Sequence, residues 1–348
     1  MELQPRKHLS SSNRTTLQAW QGLHVDKRSS TTFACGMNVE VVHPDEFGPG
    51  DLKVWRRFQS EDQRLTSPFL APEFAQAVGR ARHDARVAVI HDGGVAGYFA
   101  FQVSEALGVP IGATICDTQA VVCHRDLCWD ARWLVHSCGL EVWQFDHLAV
   151  HQDPFVPFHA VRHSSPTIDL SGGHDNFLES VRARSKNLIA QVARRRRKLT
   201  REVGPVVTTW DSAGADEFAA LVRWKSDQYQ RTGTWDRFER EWIRDVLTEL
   251  LRCKSAGCSG VMATTHAGDR LAAVHIGLLG GTGLSWWFPA YDPDLSQYSP
   301  GLIMLLDLAA QASERGVRTI DLGRGEHAYK LRVATGAYDL AEGQVPAA

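Results

Sequence analysis

No run in this sequence approaches the roughly 18 consecutive apolar residues that a membrane-spanning helix needs. The most apolar helical stretch, Leu302 to Ala310, is short and is interrupted by Asp307. The opening MELQPRKHLSSSNRTT has charges but no apolar core of the kind a secretory signal carries. An excess of one charge is missing too: 38 Lys and Arg face 40 Asp and Glu, a net of -2, so nothing global draws the chain to nucleic acid or to a membrane surface. None of the seven cysteines forms C-x-x-C, which makes a reduced, cytoplasmic setting the expected one. Cys123, His124, Cys128, His136 and Cys138 cluster, but their spacing matches no zinc finger or ribbon. Small buried apolar side chains account for these cysteines, and no metal site is expected. Also missing are G-x-x-x-x-G-K-[ST], G-x-S-x-G, H-E-x-x-H and a G-x-G-x-x-G after a strand. Their absence argues against P-loop hydrolysis, the common serine esterases, zincin proteolysis and Rossmann dinucleotide binding.

What is present is a folded α/β chain. With 348 residues, 43% hydrophobic and 22% charged, it can bury a large core without disulfides. The length fits two domains or one large one. Residues 1–37 are polar and Ser/Thr-rich and read as a disordered tail. Translation starting at Met37, just before the strand-like Val39-Glu40-Val41-Val42, is a hypothesis that intact mass of the native protein tests. Leu52–Gln63 is helical in its spacing, and Ser67-Pro68 opens a second helix through Phe69, Phe74 and Val78. Arg86–Ile90, Asp92-Gly93 and Val95–Phe101 then read as a hairpin.

The same order recurs about 170 residues later. Phe218–Gln230 and Phe238–Arg252 are helices, with Trp224 where the first copy has Trp55. Gly260–Thr265, a turn at His266-Ala267-Gly268-Asp269, and Arg270–Leu278 form a second hairpin. Gly283–Tyr291 is a further strand; Ser299-Pro300-Gly301 starts a helix that Gly316 stops, and Arg318–Leu322 is a short strand. The tail from Glu342 reads as unstructured. Between the copies, Asp175–Glu202 reads as one long basic helix, with Phe177, Val181, Leu188, Val192 and Leu199 on its apolar side. The Arg194–Arg197 run is a solvated face, or else meets RNA or anionic lipid.

Strand, loop and Ser-Pro-Gly at a helix start can hold a pyrophosphate, because first-turn N–H groups are unpaired and the dipole end is positive. An ordinary helix cap is the plain alternative. His275 lies mid-strand between Val274 and Ile276; an ordinary imidazole pKa near 6.5 suits a general base, and a hydrogen-bonded core histidine is the alternative. Asp321 ends a strand at a glycine-flanked loop, and Arg324 lies between two glycines, where its guanidinium can fork onto a phosphate or carboxylate. Glu326, Tyr329 and Lys330 continue this loop. A structural turn with incidental charges is the other reading of all five. In Trp286-Trp287-Phe288, alternation puts one face toward a core and leaves the other free to line a sugar cleft.

The order hairpin, WWFPAYD, QYSPG, IDLGRGEHAYKLR resembles GNAT-type acyltransferases, and more closely the CelD-like (cellulose and polysaccharide biosynthesis, BioF2-like) acetyltransferase group, related to Fem-type aminoacyl transferases. SPFLAPEF, GVPIGATICDTQAVV, SPTIDLSGG, RSKNLIAQVARRRRKLTREVGP and WKSDQYQRTG extend the likeness from about Val39 to about Tyr338. The resemblance implies two tandem GNAT-like lobes, 38–172 and 205–340, joined by a basic helix over 173–204. It implies an enzyme that moves an acyl group, acetyl first of all, from acetyl-CoA as co-substrate to an amine or hydroxyl of a sugar-containing acceptor. For such a transfer the candidate catalytic residues are His275, Asp321 and Tyr329, the last able to protonate the leaving thiolate, and the resemblance puts the coenzyme segment at Gln297, Ser299, Pro300 and Gly301. Lys225, at the family's Trp-Lys position, joins Tyr291, Arg324, Glu326 and Lys330 in binding substrate. The phosphate segment here has one glycine where single-domain GNAT proteins have Gln/Arg-x-x-Gly-x-Gly/Ala. That departure keeps two alternatives open: a Fem-type transfer from aminoacyl-tRNA to a cell-wall precursor, and a non-catalytic accessory protein that retains the fold.

Overall fold

The computed structural model describes residues 36–212, 214–325 and 327–348. The tail expected over 1–37 lies, up to residue 35, outside the described residues. The first lobe runs β1 (Asn38–Val42), α1 (Pro49–Glu61), α2 (Pro72–Ala81), β2 (Ala85–His91), β3 (Val95–Ser104), β4 (Leu107–Pro110), β5 (Val122–Cys123), α3 (Ala131–Ser137), β6 (Val142–Ala149) and β7 (His159–Asp169). Two helices follow, α4 (Gly173–Arg184) and α5 (Leu188–Glu202). The second lobe runs β8 (Val206–Thr209), α6 (Ala215–Thr232), α7 (Glu241–Arg252), β9 (Ser259–Ala267), β10 (Arg270–Gly280), β11 (Gly283–Tyr291), α8 (Pro300–Glu314), β12 (Thr319–Asp321), α9 (Ala328–Val333) and β13 (Gly336–Pro346). Apart from β5 in the first and α9 in the second, the two lobes repeat one order: strand, two helices, three-strand meander, helix, strand, strand. No helix among the described residues is long and apolar enough to cross a membrane.

One sheet runs through both lobes, in the order β1-β2-β3-β4-β6-β13-β7-β12-β11-β10-β9-β8, with β5 attached to β3. The centre of this order shows an exchange. The last strand of the second lobe, β13, lies antiparallel between β6 and β7 of the first, and β7 lies against β12 of the second. The unstructured tail expected from Glu342 is therefore corrected: Leu340, Ala341 and Val345 are fully buried on a central strand. Nothing local signals this, because Glu342-Gly343-Gln344 reads as polar loop until the strands on both sides are in place.

Three apolar clusters hold the layers. The first lies under α1, α2, α6 and α7 and is shared between lobes, with Trp55, Phe74 and Val78 meeting Leu247, Leu250 and Trp287 in one core. Phe69 and Phe74 stand at 5.2 and 6.3 Å from the Trp287 ring, whose Nε1 donates to the Ile115 carbonyl at 2.8 Å. The second cluster lies under α4, α5 and α8, and the third under α3. Fully burying a side chain as large as Phe or Leu contributes about 1.5–3 kcal/mol, so the shared cluster welds the two copies together.

The single long basic helix is also corrected. It breaks at Ser185-Lys186-Asn187 into α4 and α5, because Arg184 donates to the carbonyls of Ala334 and Thr335, and Ser185 to that of Arg332. Leu188, Val192 and Leu199 seat α5 against the second lobe. Two of the four consecutive arginines bond within the fold: Arg195 to Ser299 through one guanidinium nitrogen, and Arg196 to Asp307 and the Val206 carbonyl. Arg194 and Arg197 are exposed.

Candidate active site

The site starts from an opening in the sheet. β11 pairs in parallel with β12 only over Gly283–Ser285 against Thr319–Asp321. β12 then ends, and Gly323, in the left-handed region at φ +73°, turns the chain away. β11 continues to Tyr291, held by β10 alone. Its other edge, Trp286 to Tyr291, faces a cleft of about 1660 Å³. Pro289 fits an edge with no partner strand because it has no N–H to pair.

Where β11 leads out, α8 begins. Ser299 precedes it at φ 55°, ψ 55°, a left-handed conformation that costs a non-glycine residue about 1 kcal/mol or more. The amides of Leu302 and Ile303 both donate to the Ser299 carbonyl, Pro300 has no N–H, and Gly301 has no side chain to screen its own. The Tyr291 ring would stand 3.4 Å from a Cβ at Gly301. Ser299 and Gly301 line the cleft, and the Ser299 hydroxyl accepts from the Arg195 guanidinium at 2.6 Å. In the coenzyme segment named from sequence, Gln297 is exposed beside this helix start and Pro300 is buried under it. These groups suit a phosphate: a free amide at a 15-residue helix start, a hydroxyl and a guanidinium.

The first lobe supplies the opposite wall, with residues the sequence reading did not select. Asp117 follows β4 in the segment GATICDT, and burial pushes its carboxyl up to about 6, against the opposing pull of His147, Lys330 and Arg237. His147, on β6, stands 3.0 Å from Asp146 Oδ1. Burial would lower the imidazole pKa, but Asp146 against it and the nearby Asp117 outweigh it and hold the value above the ordinary one. Gln119 donates to the same Asp146 oxygen at 2.6 Å. The available signals were an acidic residue inside the quoted GATICDT motif and an Asp-His pair on a strand; neither spacing alone says that they converge.

Several selected residues are at the cleft. Lys225 on α6 is buried and lines it, and burial lowers its ammonium to about 8. Tyr291 is 44% exposed and Trp235 42%, with the Arg240 guanidinium over one face of the Trp235 ring at 5.1 Å. Tyr329 on α9 lines the cleft, and burial raises its phenol, which therefore keeps its proton. Lys330 lines it too, but its ammonium is tied to the carbonyls of Gly323 and Arg324 at 2.9 and 3.1 Å. Arg324 reaches the cleft with its guanidinium spoken for by the Asp146 carbonyl, His163 and Glu342, which corrects the expectation of a free fork for phosphate. Glu326 lies outside the described residues.

Two of the three proposed catalytic residues are elsewhere. His275 is fully buried on β10, stacked on the Trp286 ring at 4.1 Å, behind the cleft wall. A Cβ at Gly277 would meet the imidazole at 2.5 Å and the Ser285 carbonyl at 2.3 Å, so the glycine makes room for the ring. Burial holds His275 neutral down to about 3, with the Ser285 backbone opposing only in part and Lys225 adding to the shift. It cannot meet a substrate, and the assignment as base is corrected: both faces of a central strand are covered. Asp321 has both oxygens occupied, one by Ser165 and the Gly323 amide, the other by the Tyr338 hydroxyl at 2.6 Å. It ties together β12, β7 and β13, the strands of the exchange.

A stability prediction follows from His275. Its folded pKa lies below the ordinary 6.5, so its contribution is intact above 6.5 and is lost as pH falls, because only the unfolded chain takes up the proton. Neither ring nitrogen has a hydrogen-bond partner of good geometry among the described residues. Urea unfolding of His275→Leu should therefore show a flatter pH dependence, gaining about 2–3 kcal/mol on the unsubstituted protein between pH 7.5 and 4.5. Parallel pH profiles for the two proteins would contradict a buried neutral ring.

With this geometry in hand, comparison with known proteins decides the class. Residues 186–331 match the family model for the acetyltransferase (GNAT) domain. The second lobe is a GNAT-type acyltransferase domain. No curated protein sequence matches the chain. L-PGS from Bacillus licheniformis is similar in fold, with TM-score 0.53 and 11% identity over 84% of this chain and 90% of that one. The C-terminal domain of a putative lysylphosphatidylglycerol synthetase from Agrobacterium fabrum is similar at TM-score 0.51 and 11% identity, over 78% and 86%. FemX gives 0.50 and 11%, over 75% and 87%. At such identities the likeness is one of fold. The open β11 edge and the α8 start both lie within the matched residues.

Proposed function

We propose that this acyltransferase moves an acyl group, acetyl in the first instance, from an acyl-coenzyme A thioester to an amine or hydroxyl of a sugar-containing acceptor, as in polysaccharide assembly. One observation carries the reading: the unpaired edge of β11 runs between the free helix start at Ser299–Gly301 and the raised carboxyl of Asp117, all on one cleft. Phosphate groups of the donor have a seat in the Gly301 amide, the Ser299 hydroxyl and Arg195. The free backbone groups of Trp286–Tyr291 offer hydrogen bonds along the donor's amide arm and a donor for the carbonyl oxygen as it gains charge. The acceptor nitrogen or oxygen attacks the thioester carbon, the C–S bond breaks, and the nucleophile's proton passes to Asp117. Asp146 orients His147 beside that carboxyl. Tyr329, protonated at neutral pH, supplies the proton that the leaving thiolate takes. Trp235 and Tyr291 offer the flat apolar faces on which sugar rings stack.

Thermal shift with coenzyme A or acetyl-coenzyme A tests the donor, since a ligand at 100 times its Kd stabilises by about 2.7 kcal/mol. The expected result is a rise in Tm with coenzyme A that Gly301→Val removes. No rise at saturating coenzyme A would sink the donor assignment.

A second reading has support of its own. The fold likeness to FemX and to lysylphosphatidylglycerol synthetase domains, with Arg194 and Arg197 exposed on α5, suits an aminoacyl-tRNA donor. Salt-sensitive tRNA binding, lost in the Arg194→Gln, Arg197→Gln double variant, would favour that reading over the first.

A further inference from the structure

The charges in the cleft do not balance around Lys225. Its side chain is more than nine-tenths buried on α6 and lines the cleft. The ammonium donates to Gln228 Oε1 at 3.2 Å and stands 5.4 Å from the Tyr229 ring centre. Among the described residues it has no carboxylate partner, and the charges acting on it, those of Arg237 and Lys330, share its sign. Arg237 stands over the same Tyr229 ring, also at 5.4 Å, with its Nε donating to the Thr114 carbonyl. Lys330 is spent on loop carbonyls. A buried ammonium without a counter-ion costs several kcal/mol, and a second cation over the same ring adds repulsion. An anion entering from the cleft removes both costs.

We infer that Lys225 and Arg237 form the seat for an anionic group, a carboxylate or a phosphate, carried by the acyl acceptor. The inference rests on the acyl-transfer reading above and narrows its acceptor to a class with negative charge close to the nucleophile, because Arg237 also acts on Asp117. Arginine forks onto a planar or tetrahedral anion through two N–H groups, and lysine adds a point charge. A neutral sugar fills the aromatic wall equally well but leaves Lys225 without a counter-charge.

Thermal shift on the full chain tests this with three probes: coenzyme A, inorganic phosphate and malonate. In the unsubstituted protein, millimolar phosphate or malonate should raise Tm by at least about 2 °C. Lys225→Met should keep the coenzyme A shift, lose most of the anion shift and, with its uncompensated charge gone, be at least as stable without ligand. Arg237→Gln should weaken anion binding at least tenfold. Malonate acting at the lower concentration assigns a carboxylate, and phosphate at the lower concentration a phosphate. An anion shift as large in Lys225→Met as in the unsubstituted protein overturns the inference, as does no anion shift in a protein that binds coenzyme A. Anion binding that depends on Lys225 without coenzyme A binding keeps this site and removes the donor reading instead.

Discussion

Ending the chain at Thr335 abolishes folding. β13 pairs with β6 from Leu340 to Pro346 and with β7 from Gly336 to Gly343, so its loss leaves two unpaired edges in the middle of the sheet. Leu340, Ala341 and Val345 leave fully buried positions. The large side chains alone are worth about 1.5–3 kcal/mol each in burial. Every orphaned backbone group that stays buried adds about 1–3 kcal/mol. Tyr338 also takes away the hydroxyl that satisfies Asp321. Together these exceed the roughly 5–15 kcal/mol by which a typical domain is stable. The truncated protein should be insoluble or lack a cooperative urea transition by circular dichroism, and a synthetic peptide of residues 336–348 added during refolding should restore part of it. A cooperative transition at an unchanged midpoint would show that the exchanged strand is dispensable.

Asp117→Asn lowers kcat/KM by about 10²–10⁴, the range expected when a positioned base is removed. The amide keeps the shape of the carboxyl, so donor binding should persist in thermal shift. In the unsubstituted enzyme the rate should climb as pH passes upward through about 6, where the carboxyl loses its proton, and this limb should be missing from the residual activity of the variant. Stability moves the opposite way. A carboxyl whose folded pKa is raised from 3.8 to about 6 favours the folded state when protonated, so ionisation above pH 6 costs stability. The variant escapes that cost: its Tm should exceed that of the unsubstituted protein at pH 8, and the gain should disappear below about pH 4. A base for the reaction held at a cost to the fold predicts less activity with more stability. An active Asp117→Asn with an unchanged pH profile would take the role of base away from Asp117 and leave it to His147 or to solvent.

Local pattern was enough for the repeated order of helices and hairpins. Apolar spacing marks each helix, the Asp92-Gly93 turn marks the first hairpin, and Ser299-Pro300-Gly301 marks the start of α8, because these signals act within a few residues of each other. The WWFPAYD strand was likewise legible from its alternation, whereas the Tyr329-Lys330 segment, read as loop, forms α9. The break between α4 and α5 needed the carbonyls of Arg332, Ala334 and Thr335, some 150 residues onward, to hold Arg184 and Ser185. His275 looks the same in sequence whether its strand borders a cleft or lies covered on both faces, and only the layers above and below β10 decide.

The composition and periodicity of this chain by themselves determined an α/β protein of two like halves, with a helix that starts at Ser299-Pro300-Gly301. The tertiary structure alone decided that β13 crosses into the first half, that Asp117 and His147 meet Lys225 and Tyr329 across one cleft, and that His275 stays outside it. The reason is one of range: periodicity and capping are settled by neighbours along the chain, whereas burial and the pKa values it shifts are settled by residues more than a hundred positions away.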